Sequence, residues 1–90
     1  MVATNKNIIQ EYSLLEYRKN SKEIPYIKGI DYRVDQIYIL PYMAWGLKPK
    51  QIAKEQEIPL EAIVQAITWC ENHGELLNEV LEREGKEAGL

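Results

Sequence analysis

The chain has 90 residues, 46% of them hydrophobic, and a formal net charge of −3. That length permits one domain, the composition excludes wholesale disorder, and the acidic balance excludes a strong nonspecific hold on a phosphate backbone. A chain this short buries proportionately little surface, so a partner would add to its stability.

The single cysteine, Cys70, cannot make an internal disulfide, and no Cys/His/Asp cluster surrounds it. Its place in an apolar helical stretch makes it a buried small hydrophobe. Met1-Val2-Ala3-Thr4-Asn5-Lys6-Asn7 leads into no secretory apolar core, and no stretch reaches transmembrane length. Both features predict a cytoplasmic protein without membrane contact. Charge is unevenly placed: Lys48, Lys50 and Lys54 make one middle segment basic, whereas Glu75, Glu79, Glu82, Glu84 and Glu87 outnumber Arg83 and Lys86 near the end. That acidic stretch would repel a phosphate backbone and suits solvent or a basic partner.

Taken in order, Ile8 to Tyr17 has no firm period and suits a strand, a helical turn or an arm that orders against a partner. From Glu23 to Val34, the strand formers Ile24, Tyr26, Tyr32 and Val34 surround Gly29, which predicts a short extended segment or hairpin. Pro25 cannot donate to a ladder, so a strand there is an edge or a terminus. Two short strands are marginal alone, and a matching pair from a second subunit would relieve that.

An apolar run from Ile37 to Leu47 follows Asp35. Val34, Ile37, Tyr38, Pro41 and Trp45 share one helical face, flanked by Leu40, Met43 and Ala44. Pro41 inside a helix removes a hydrogen bond at about 3 kcal/mol, which predicts one kinked helix ending at Gly46. Pro49 starts a second helix through Glu55 or Gln56, with Ile52 and Ala53 inward and Lys50, Gln51 and Lys54 outward. Ile58 plugs the turn made by Glu57-Ile58-Pro59. A third helix runs from Leu60 to about Asn72, with Leu60, Ile63, Val64, Ile67 and Cys70 as its core stripe. Ala62, Ala66 and Trp69 form a second apolar face, which makes this helix nearly central. Gly74 interrupts the register. Leu76, Leu77, Val80 and Leu81 supply a fourth amphipathic segment before the chain frays at Gly85 and Gly89. The middle pair of helices has helix-turn-helix spacing.

From Ile27 to about Val80 the chain resembles the small bacterial proteins of the DUF433 family, particularly the cyanobacterial type. Val34-Asp35-Gln36-Ile37 stands where that family begins its first helix. Gly46-Leu47-Lys48-Pro49-Lys50-Gln51-Ile52-Ala53 resembles its Gly-hydrophobic-Ser-Pro-acidic-Glu-Ile turn. Leu60-Glu61-Ala62-Ile63-Val64-Gln65-Ala66 resembles its third helix, and Ala66 to Leu76 its aromatic-pair ending, with Trp69 and Cys70 in the pair's place before His73 and Glu75. The chain departs from the family where a Gly-Thr-Arg-Ile motif is replaced by Gly29-Ile30-Asp31-Tyr32, and where the serine before Pro49 is Lys48. The resemblance implies a homeodomain-like three-helix fold preceded by short strands, often dimeric, and an antitoxin-like role beside a toxin ribonuclease.

The resulting expectation is a mostly α, three- to four-helix, homeodomain-like helix-turn-helix bundle with a short N-terminal β segment or hairpin. Residues 1–33 form an arm and dimerisation element, 34–73 the helical core, and 74–90 an acidic helix and frayed tail. His73 is the single histidine and stands near a helix end, where it can bond a terminal carbonyl. Glu71 and Glu75 read as solvated carboxylates, and Gly29, Gly46 and Gly74 are too isolated for a phosphate loop. No enzyme, cofactor or metal site is expected. Lys48, Lys50, Gln51 and Lys54, with Glu61 and Gln65 early in the third helix, are the residues placed to contact double-stranded DNA. No arginine lies between Arg33 and Arg83, so the commonest specific contact to guanine is missing there. Tyr26, Ile30 and Tyr32 are the expected homodimer contacts. The function expected is that of a non-enzymatic antitoxin-like or small regulatory protein, binding a toxin partner and, through its helix-turn-helix, DNA. The alternative is a homodimeric interaction module without DNA binding.

Overall fold

A computed structural model describes residues 12–87, with side chains through Gly85. The expectations for Met1 to Asn7, for the first part of Ile8 to Tyr17, and for Gly89 lie outside the described residues. The chain begins with an antiparallel hairpin of β1 (Leu15–Arg18) and β2 (Ser21–Ile27). Leu15 faces Ile27 and Glu16 faces Tyr26, and a bulge between Glu16 and Arg18 brings Arg18 opposite Ser21. The hairpin turn thus lies upstream of Gly29. Gly29, at φ +74°, serves a second turn that returns the chain to β2, where Ile27 N–H donates to the Tyr32 carbonyl at 2.9 Å and Arg33 bridges Tyr26. Leu15, Ile24 and Ile27 point into the core, so the hairpin gains its apolar support within the chain.

Helix α1 (Val34–Ile37) continues without a break into a π-helical segment, Tyr38–Ala44. The Arg33 amide donates to Gln36 Oε1 at 2.8 Å, which satisfies one backbone donor at the helix start. Pro41, where the kink was expected, lies inside this more widely wound segment. The Trp45 amide reaches back five residues to the Leu40 carbonyl at 2.8 Å, and Leu47 N–H reaches the Pro41 carbonyl at 3.0 Å. Gly46, at φ +68°, ends the segment in the left-handed conformation expected of it.

The next two helices keep close to their expected limits, α2 at Pro49–Gln56 and α3 at Leu60–Asn72. Ile58 is buried between them. Helix α3 is central: it packs against β1, α1, the π segment, α2 and α4 (Gly74–Glu87). Its Ala62, Ile63, Ala66, Ile67, Trp69 and Cys70 form the middle of one apolar core with Ile24, Ile27, Val34, Ile37, Ile52, Leu77 and Val80. Burying a side chain such as Ile63 contributes about 1.5–3 kcal/mol.

Three expectations are corrected here. Leu60 and Val64 leave the core stripe, because α3 turns its Ala62 and Ala66 side inward and these two outward. Trp45 leaves the α1 face and is 63% exposed, since π winding adds residues to each turn and rotates later positions away from the face set by Val34 and Ile37. The chain does not fray at Gly85, which lies within α4, whereas Gly74 stands at the break between α3 and α4 as expected.

Candidate functional site

The reactive residue types are occupied by structural contacts. Cys70 is buried, and burial pushes its thiol far above the ordinary range, assisted by Asp35 and Glu71. A thiol held neutral is a poor nucleophile. The His73 ring stacks on Trp69 with centroids 4.2 Å apart, and its Nδ1 lies 2.8 Å from the Trp69 carbonyl oxygen. Its own carbonyl accepts from Leu77 N–H at 2.9 Å. His73 therefore clasps the end of α3 to the start of α4. Glu71 and Glu75 are exposed. Among the described residues no group of three or more His, Cys, Asp and Glu side chains converges as a metal site.

The expected DNA-contacting residues differ in exposure. Lys48, Lys50, Gln51 and Lys54 are exposed on and before α2. Gln51 also caps that helix, accepting the Lys48 amide at 2.9 Å. Glu61 is exposed on the first turn of α3. Gln65 is not. It is buried, its Oε1 accepts the Leu14 amide at 2.8 Å, and its Nε2 donates to Ser13 Oγ at 3.4 Å. The segment just before β1 lies over this part of α3, so Gln65 is withdrawn from the DNA-facing set. The side chains left exposed on the first turns of α3 are Leu60, Glu61 and Val64.

The expected dimer residues each pack within their own chain. The Arg18 guanidinium lies over the Tyr26 ring, 4.1 Å from its centroid. Ile30 and Tyr32 rest against the core, and the Tyr32 hydroxyl donates to Gln56 Oε1, joining the Gly29 turn to α2. Long-range signals of this kind have no local sequence signature.

Sequence reasoning missed the apolar surface. Leu40, Met43, Trp45, Leu60 and Val64 are 40–63% exposed. Leu60 and Val64, with Pro49, form the apolar part of an open groove of about 590 Å³ whose remaining lining is Lys48, Lys50 and Gln51. The groove has a basic rim and an apolar interior.

No protein-family model matches the chain, and no curated protein and no solved structure matches it. No helix among the described residues is long and apolar enough to cross a membrane.

Proposed function

We propose that the protein is a small non-enzymatic regulatory protein of antitoxin-like type that works by holding a protein partner. The observation that carries this reading is the chemistry of the exposed face. At the start of α3, where a DNA-reading helix would present polar side chains to base edges, this chain presents Leu60 and Val64. The remaining polar residue there, Glu61, would be repelled by phosphate. Leu40, Met43 and Trp45 add apolar surface of the kind that anchors protein interfaces, where aromatic residues and Met are enriched.

The resemblance to the DUF433 family over Ile27 to Val80 supports the antitoxin part of this reading, with a basic ribonuclease as the partner that the acidic face of α4 would suit. In that mechanism, shape and charge complementarity act without bond chemistry. Contact with duplex DNA through Lys48, Lys50 and Lys54 is the accessory part of the proposal. A homodimeric module is the second reading, favoured by the exposed apolar side chains of so small a chain.

The test is purification of the tagged protein from its native host at low salt, with the mass of the intact complex recorded. A stoichiometric second protein supports the proposal. A homodimer or monomer that retains no other protein contradicts it.

A further inference from the structure

We infer that the groove between the starts of α2 and α3 is a docking site for an amphipathic helix of a partner protein whose apolar stripe is flanked by Asp and Glu. This inference deepens the protein-binding reading and rests on it.

The shape comes first. Leu60 and Val64 stand one turn apart on α3 and are 40% and 44% exposed, with Pro49 of α2 beside them. Their i, i+4 spacing presents a short apolar ridge along one helix, and the groove beside it suits the i, i+3 and i+4 side chains of a second helix. Its volume of about 590 Å³ is room for a few aliphatic side chains of a partner. It is open, as a groove that takes a helix is.

Charge then selects the occupant. Lys48 and Lys50 line the groove, and no carboxylate does. Lys54 stands one turn beyond Lys50 on the same helix and is exposed. None of these three lysines has a carboxylate within ion-pairing distance among the described residues. Lysines along the α2 side of the apolar floor match carboxylates on that side of a partner's apolar stripe, and disfavour a basic helix by like-charge repulsion. Duplex DNA would satisfy the lysines but leave Leu60 and Val64 against phosphate and water. A second copy would bring its own lysine rim against this one if the two grooves met face to face. The α4 helix of another copy already buries Leu77 and Val80 in its own core, which leaves them unavailable to the groove.

The test is an NMR titration of the full chain, reading the Leu60 and Val64 methyl signals. The probes are a designed helical peptide of Leu and Glu with leucines at i, i+4 and i+7, and its counterpart with every Glu replaced by Lys. The acidic peptide is expected to shift both methyls saturably, and the basic one to leave them unmoved. Val64→Lys, at an exposed site, and the pair Lys48→Glu with Lys50→Glu are each expected to weaken binding at least about tenfold. Unchanged thermal unfolding of these variants shows that the fold is kept.

The inference is overturned if the acidic peptide moves neither methyl, if it moves signals elsewhere instead, or if the basic peptide binds as well. It is also overturned if random duplex DNA moves the groove methyls, or if dilution of the protein alone does so, which would name DNA or a second copy as the occupant. A stoichiometric native partner retained equally by wild type and Val64→Lys overturns the groove and leaves the protein-binding reading standing. Failure to recover any partner with wild type strikes that broader reading instead.

Discussion

Arg33 and Glu84 lie 51 positions apart in sequence and meet in a two-pronged ion pair, Nη1 to Oε2 and Nη2 to Oε1, both at 2.8 Å. The same guanidinium also holds Asp35 through Nε and Nη2. Arg33 thereby ties the end of α4 to the turn between the hairpin and α1. Its planar fork is the reason a lysine would not replace it.

The two carboxylates of this cluster differ in burial, and that decides the cost of losing each partner. Asp35 has a side chain 9% exposed, whereas Glu84 is 44% exposed. Arg33→Met leaves the Asp35 charge buried without its cation and should destabilise by about 3 kcal/mol or more. Glu84→Gln removes a half-exposed partner and should cost no more than about 1 kcal/mol. Urea unfolding of both variants, compared by midpoint at equal slope, checks the asymmetry.

Glu84 gives the cluster a pH dependence of defined sign. Its hydrogen bonds to Arg33 hold its carboxyl below the usual range, against a smaller opposing effect of burial. A carboxyl with a lower pKa in the folded chain binds fewer protons there than when unfolded. Its contribution is therefore complete above the unfolded value of about 4.3 and is lost as pH falls through the lower folded value. A carboxyl-carbon NMR titration should place the Glu84 midpoint below the usual carboxylate range. Glu84→Gln should flatten the acid limb of the stability profile.

Gln65 should behave as a core tie and not as a DNA contact. Gln65→Leu keeps the bulk but leaves the Leu14 amide without its acceptor, which should cost about 1–2 kcal/mol and speed hydrogen exchange at Leu14. Salt-dependent retention on duplex DNA should be the same for this variant as for wild type.

Glu57 ends α2 in the left-handed region at φ 57°, where a side chain with a Cβ is strained. Glu57→Gly relieves that strain against a greater loss of chain entropy, so stability should be unchanged or raised by up to about 1 kcal/mol. Glu57→Val should lower it by more than that, because a branched Cβ resists positive φ most. Thermal unfolding of the pair distinguishes them.

The parts of the fold legible in the sequence were those written in local chemistry. Pro49 opens α2, Gly46 closes the segment before it, Ile58 fills the turn, and His73 bonds a terminal carbonyl, each from its own neighbourhood. The apolar load of α3 announced a central helix, and it is one. What stayed hidden depends on residues far apart or on winding. Periodicity at 3.6 residues placed Trp45 with Val34 and Ile37, but the π segment around Pro41 carries Trp45 into solvent. Gln65 read as a polar reader because its partners, Leu14 and Ser13, are some fifty positions away. Leu60 and Val64 read as core because an apolar stripe does not say which of its two edges is covered. The exposed apolar side chains follow from the displacements of Trp45, Leu60 and Val64, so they could not be found before the fold.

The most direct measurement is side-chain footprinting of the native complex against the isolated protein. If a protein partner covers the apolar face, Met43, Trp45, Leu60 and Val64 should each lose reactivity in the complex, while Tyr17, exposed on β1, keeps it. If those four residues remain as reactive in the complex as alone, or if protection falls on the α2 lysines in the presence of nucleic acid only, the protein-holding function is contradicted.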